Sequence, residues 1–243
     1  MRGRTPPRPL GEVADAAVRV FTDKGFRDAG ISDISAALGL SHGALYTYVD
    51  SKQALLYLAL LRAVRPEAVD AMAIPVTAPP QQQLIEAVDA WTVEQTGFKA
   101  LTEAVTGAST RPVGEELADI VDELYDFIDR NRHVLALIAR CAADLPDLSQ
   151  WYYVRRRRAM IHALGEYLRT RIASGDLRPV PDAPVAARFI VESVAWFAMH
   201  RHGDPDSAMI DDRVSRSTVG HLLVAAFLPD QNGFTHTDGI TPQ

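Results

Sequence analysis

Between Ile31 and Lys52 two apolar-periodic segments, each too short to stand alone, meet at a single glycine. Isolated helices below ~12–15 residues are marginal in water, so both must fold against neighbouring elements. Ser32 is placed to cap a helix running through Leu38, with Asp33 in its first turn, and Ser41 to cap a second from His42 to Tyr48. Gly39, between them, supplies the left-handed conformation a sharp turn needs. Ile34, Leu38, Leu40 and Leu45 fall on faces that meet one another and an upstream helix, in which Leu10, Val13, Ala17, Val20 and Phe21 recur at three-to-four spacing. Small Ala36, Ala37 and Ala44 permit close approach, so the segment reads as a helix-turn-helix.

The second short helix keeps a polar outer face, with His42, Tyr46, Thr47 and Tyr48. A face of this kind fits a major groove ~12 Å wide. Thr47 and Tyr48 are expected outside the small core, Tyr46 either on a phosphate or holding the helix to its neighbour, and His42 either on DNA or simply solvated. A longer helix follows, with Asp50 as its expected cap, Gln53 as capping-box partner and an apolar face from Leu55 to Val64. Its first N–H groups and the Lys52 ammonium suit a backbone phosphate. Charge agrees with this reading. Residues 1–65 carry nine basic and six acidic side chains, net +3, whereas the whole chain is at -6 and the remainder therefore at -9. A basic head on an acidic body fits a polyanion-binding module, and Arg2, Arg4 and Arg8 form a basic start able to reach phosphates or a minor groove.

The motifs Gly25-Phe26, Ile34-Ser35, Gly39-Leu40-Ser41, Gly43-Ala44-Leu45-Tyr46-Thr47-Tyr48-Val49, Lys52 and Leu55-Leu56 resemble the DNA-binding domain of the TetR family of bacterial transcription regulators over residues 10–60. Ser35 and Val49 depart from the usual Ala and Phe. The resemblance implies an all-α homodimer: an N-terminal three-helix DNA-binding domain with its helix-turn-helix, a connecting helix, and a larger helical ligand-binding and dimerisation domain. It implies a repressor of double-stranded, palindromic operator DNA released by a small-molecule effector. By position it places Gly43, Tyr46, Thr47, Tyr48 and Lys52 at the DNA; Arg4, Arg8, Ser32, Ser41 and His42 complete the expected DNA contacts.

The expected domains are residues 1–50 for the arm and head, 51–66 for the connecting helix, 67–230 for the body and 231–243 for a flexible tail. Prolines at 66, 75, 79 and 80 suggest a loop around one helical turn. Helical periodicity resumes over 81–106, 115–129, 132–143, 148–174, 183–202 and 207–228, and no useful strand appears. The lone Cys141 excludes a disulfide framework and reads as a buried thiol. Arg188 and Glu192 interrupt the most apolar stretch, and no signal-peptide pattern follows the N-terminal arginines, so a cytoplasmic protein without a membrane partner is expected.

In the body, residues 183–202 are apolar almost all round and the last helix is apolar on one broad face. Val185, Phe189 and Phe197 from the first, and Val219, Leu222, Leu223 and Ala226 from the second, are expected to pair with their two-fold mates. The alternative is a monomer core. Trp91, Phe98, Leu124, Phe127, Trp151, Tyr152, His162 and Trp196 are candidate effector contacts, with plain core as the competing reading, and Glu192 either pairs with Arg188 or meets an effector. The strip Trp151, Val154, Arg158, Ile161 sets Arg158 on an apolar face, where it needs an acidic partner, an effector carboxylate or DNA. Arg155, Arg156 and Arg157 read as a solvated face. No HExxH, Gly-x-Ser-x-Gly, phosphate loop or metal-spaced Cys/His pair occurs, so no catalytic residue, metal or cofactor is assigned. A helix-turn-helix activator or architectural protein without an effector is the remaining alternative.

Overall fold

The computed structural model describes residues 8–95, 97–107, 109–207 and 209–229. Arg2, Arg4 and the tail from 231 lie outside them. The helices are α1 (Leu10–Asp28), α2 (Ile31–Leu38), α3 (His42–Leu45), α4 (Lys52–Val64), α5 (Pro66–Asp70), α6 (Gln81–Gln95), α7 (Lys99–Thr106), α8 (Val113–Arg130), α9 (Arg132–Ala142) and α10 (Pro146–Ser149). A π-helical stretch (Gln150–Arg157) leads into α11 (Arg158–Ala173), followed by α12 (Ala183–Ala198), a 3-10 turn (His200–Gly203) and α13 (Asp212–Phe227). The chain is all-α. Among the described residues the only β pairing is an isolated bridge between Val49 and Val76, the Val76 N–H donating to the Tyr48 carbonyl at 2.7 Å. The expected loop at 66–80 thus opens with a helix begun by Pro66 and then returns to the head.

Two compact units form, one from residues 1–97 and 127–159, the other from 98–126 and 160–243. In the first, Val13, Ala17 and Phe21 of α1, Ile34 of α2, Leu45 of α3 and Leu55, Leu58 and Ala59 of α4 are wholly buried. Alanines at 14, 16 and 17 let α1 lie close along α4 and α9. α4, expected as a connector, is therefore a central core helix of this unit. Cys141 is buried, and burial pushes its thiol up to about 12.

The π-helical stretch overturns two expectations. Its i→i+5 bonding changes the helical phase after Trp151, so the strip that was to carry Arg158 onto an apolar face does not form and Arg158 is exposed. Arg156, expected in solvent, is half-buried and donates from Nε to Asp89 Oδ1 at 2.8 Å, an oxygen that also accepts the Trp151 indole N–H. Burial alone would raise the Asp89 carboxyl, but these two donors outweigh it and hold it below its ordinary value. A depressed carboxyl stabilises above the unfolded pKa, near 4, and loses that contribution as pH falls through the folded value. Asp89→Asn should cost about 1 kcal/mol or less at neutral pH, because the site is partly solvent-screened. Urea unfolding should show the difference between the two proteins shrinking towards nothing near pH 3; an equal gap at both pH values would refute the carboxylate's role.

In the second unit Leu117, Ile120, Val121 and Leu124 of α8 pack in a core with Leu164 and Leu168 of α11, Ile190 and Val194 of α12, and Val219 and Leu223 of α13. The acidic residues of α8 are engaged within this unit. Glu116 takes a bidentate pair from Arg171 at 2.8 Å, Asp119 binds Arg111, and Asp122 and Asp126 hold Arg216. Glu123 accepts the Ala100 N–H at the start of α7. α12 is capped by Asp182, which accepts the Val185 N–H at 2.7 Å, and α13 by Asp211. Val219 and Leu223 are core rather than surface, and Phe197 is half-buried, so these three expected interface residues serve the unit itself. Val185, Phe189, Leu222 and Ala226 are exposed.

Candidate nucleic-acid interface

α2 ends on Gly39 at φ 65, ψ 27, with the Leu40 N–H returning to the Ser35 carbonyl at 2.9 Å. This left-handed cap makes the turn that the sequence demanded. The start of α2 differs by two residues from expectation. Gly30 precedes the helix and its N–H goes to the Asp33 carboxylate at 2.8 Å, while Ser32 is already helical and exposed. Lys24 lies 2.9 Å from Asp33, and its hydrogen bond, with that from Gly30, lowers the Asp33 carboxyl.

Ser41 caps α3 as expected, its Oγ accepting the Ala44 N–H at 3.2 Å. α3 is a single turn. The Thr47 hydroxyl takes the Ala44 carbonyl at 2.7 Å and the chain leaves the helix through a turn over residues 46–48. Only Leu45 of this turn is buried. Ser41, His42, Gly43, Tyr46 and Thr47 are exposed together, with His42 and Tyr46 stacked at 5.5 Å and 9° between ring planes. A Cβ on Gly43 would meet nothing within 4 Å, so a large surface can come close to the backbone there.

Two candidates sit elsewhere than expected. Tyr48 is 5% exposed: the chain turns before it, the ring enters the core, and its hydroxyl accepts the Arg8 N–H at 2.7 Å. Lys52 is half-buried, donating to the Arg27 carbonyl at 3.1 Å and lying 4.7 Å from the centre of the Phe26 ring. The cap of α4 is Ser51, not Asp50; its Oγ accepts the Ala54 N–H at 3.1 Å, and Asp50 accepts the Ser51 hydroxyl. The Arg8 guanidinium pairs with Glu12 at 2.8 Å on the surface, and Arg4 lies outside the described residues.

The expected effector residues are divided between the two units. Trp91 and Trp151 are buried in the first, with Phe127 and Tyr152 half-buried and Arg158 exposed. In the second, Leu124 is buried, Phe98 and Glu192 are half-buried, and His162 and Trp196 are exposed. Glu192 pairs with Arg188 at 3.2 Å and His162 lies 3.5 Å from Glu166. Two clefts open on the second unit. One of about 480 Å³ is lined by Val121, Asp122, Tyr125, Arg213, Arg216 and Ser217, among others, and one of about 260 Å³ by acidic residues of α8 with Lys99 and Arg111. Neither is lined by an expected effector residue. No group of three or more His, Cys, Asp or Glu among the described residues is placed to hold a metal, and no helix there is long and apolar enough to cross a membrane.

A tripartite helical head with its second short helix exposed, followed by a helical body, defines a helix-turn-helix DNA-binding protein. Residues 13–57 match the family model of the bacterial regulatory proteins, tetR family. Over this segment the chain carries the DNA-binding domain of tetR-family bacterial regulatory proteins. Solved structures with a similar fold include the ketosteroid transcriptional regulator KstR2 of Mycobacterium tuberculosis, at 18% identity over 94% of this chain and 98% of that one, with a TM-score of 0.52. AibR in complex with isovaleryl coenzyme A and operator DNA is 18% identical over 89% and 99%, at 0.51. A tetR-family regulatory protein from Rhodococcus RHA1 is 17% identical over 90% and 96%, at 0.50. At these identities the likeness is one of fold. No curated protein matches the sequence.

Proposed function

We propose that this regulator is a homodimeric repressor that binds a palindromic operator and leaves it when a small, largely apolar molecule binds the body. The observation that carries the DNA reading is the joint exposure of Ser41, His42, Gly43, Tyr46 and Thr47 around the buried Leu45 of α3. Ser32 and the arm with Arg4 and Arg8 flank it as phosphate contacts. Lys52, with three ammonium donors, can keep the Arg27 carbonyl and still meet a phosphate. Val185, Phe189 and Trp196 on α12, with Val214 and Leu222 on α13, leave large apolar side chains outside the core of two adjacent helices, which favours pairing with a second copy.

Selection from a random DNA pool should return a two-fold symmetric sequence, and its affinity should fall steeply as salt rises. Equal affinity for every competitor sequence would overturn the specificity. A thermal-shift panel of uncharged apolar molecules and acyl thioesters, isovaleryl coenzyme A among them, followed by operator release, tests the effector; stabilisation without release argues for the effector-free alternative.

A further inference from the structure

α1 breaks at Gly25, whose φ of 81 and ψ of 177 leave the helix for one residue before it resumes to Asp28. A break strands carbonyls on one side and N–H groups on the other. One pair of side chains from the end of α9 takes up both. Arg140 donates to the carbonyls of Lys24 at 2.6 Å and Asp23 at 3.4 Å, and the Asp144 carboxylate accepts the Arg27 N–H at 2.8 Å. A Cβ on Gly25 would lie 2.8 Å from each of these side chains, so they are pressed against bare backbone that only glycine offers. The same corner holds Lys52 of α4 on the Arg27 carbonyl and Lys24 on Asp33 of α2, eight residues before Ser41 begins the exposed turn.

We propose that Arg140 and Asp144 are positioning residues for DNA binding: by gripping the backbone of the Gly25 corner they hold the helix-turn-helix in one attitude against α9. Neither belongs to the exposed surface of the head, and the Asp144 side chain is only 13% exposed. Arg140 acts as a cap on stranded carbonyls, where a cation is favoured, and Asp144 as its counterpart on a stranded N–H. This rests on the dimeric DNA-binding reading above. A head held in one attitude lets a dimer engage two half-sites without ordering itself at that moment, and that advantage exists only when both half-sites are present.

The experiment uses the DNA selected by the unmodified protein, as the full palindrome and with one half scrambled. Arg140→Met and Asp144→Ala should each weaken binding to the palindrome at least about tenfold, with affinity for the single half-site and the salt dependence unchanged. The double variant should lose no more than the weaker single one, because both grip one corner. Asp144→Asn retains an acceptor for the Arg27 N–H and should stay near the unmodified protein. Should Arg140→Met not fold, Arg140→Lys keeps the charge but cannot bridge two carbonyls, and the same ratio is read on it. Unchanged or improved palindrome binding, or an equal loss on the half-site, overturns the proposal. So does a flatter salt dependence in Arg140→Met, which makes Arg140 a phosphate contact. If the unmodified protein selects no sequence, the reading beneath it fails first and takes the proposal with it.

Discussion

Replacing Phe189 and Leu222 together by glutamate is expected to turn the proposed dimer into a folded monomer with a mass of 26.6 kDa by light scattering. Both side chains are more than half exposed in the single chain, at 57% and 61%, so the fold of each subunit loses little. In a two-fold interface each substitution acts twice, and burying an apolar side chain of this size contributes about 2 kcal/mol. About two fifths of each side chain is already covered within the subunit, so four lost side chains amount to about 5 kcal/mol, or roughly several thousand-fold in dissociation constant, before the cost of burying carboxylates is added. The monomer should keep unmodified half-site affinity and lose the gain from the full palindrome. An unaltered mass of twice that value at micromolar concentration, with normal circular dichroism, places the interface elsewhere.

The head was legible in the sequence because its constraints are local. Gly39 and Ser41 act through their own backbone neighbourhoods, and Leu45 is the only apolar residue a one-turn helix must bury. The same locality misled at Tyr48. Helical spacing carried on from His42 puts it outside, but the Thr47 hydroxyl on the Ala44 carbonyl and the bridge to Val76 end the helix first. No pattern within residues 41–52 contains Val76. Arg158 failed for a different reason: periodicity assumes one residue spacing per turn, and a π-helical stretch held by Asp89 from α6 breaks that assumption upstream of it. The corner at Gly25 shows both cases at once. Its glycine is visible in the sequence as a helix terminator, yet the two side chains that require it come from residues more than a hundred positions away. The effector residues were the least legible, since a tryptophan at core spacing and one at pocket spacing look alike; Trp91 and Trp151 are core.

Arg201→Ala should be the most damaging single substitution in the second unit, and periodicity gave no warning of it. The side chain is 2% exposed, the rarest state for an arginine. Its Nε donates to the Phe197 carbonyl at 2.7 Å, one terminal nitrogen to the Ile210 carbonyl at 2.9 Å, and the other to Asp212 in the first turn of α13. One guanidinium thus ties the end of α12 to the start of α13 across the chain between them, including the sharp 3-10 turn. Removing it strands the Ile210 carbonyl, at about 1–3 kcal/mol, leaves the Phe197 carbonyl with only the longer bond from the Tyr125 hydroxyl at 3.3 Å, and opens a cavity the size of the side chain. Asp212 is largely solvated and adds little when freed. The expected loss is about 3–5 kcal/mol of unfolding free energy, a large share of the ~5–15 kcal/mol available to a typical domain. Lysine should rescue less than half of it, because a single ammonium cannot span three acceptors arranged for a planar fork. Because α12 and α13 also carry the proposed interface, the variant should dissociate at higher protein concentration than the unmodified chain even where it remains folded. Equal denaturant midpoints for Arg201→Ala and the unmodified protein would mean that water replaces all three hydrogen bonds, and the ordered junction between the two helices would then owe nothing to this arginine.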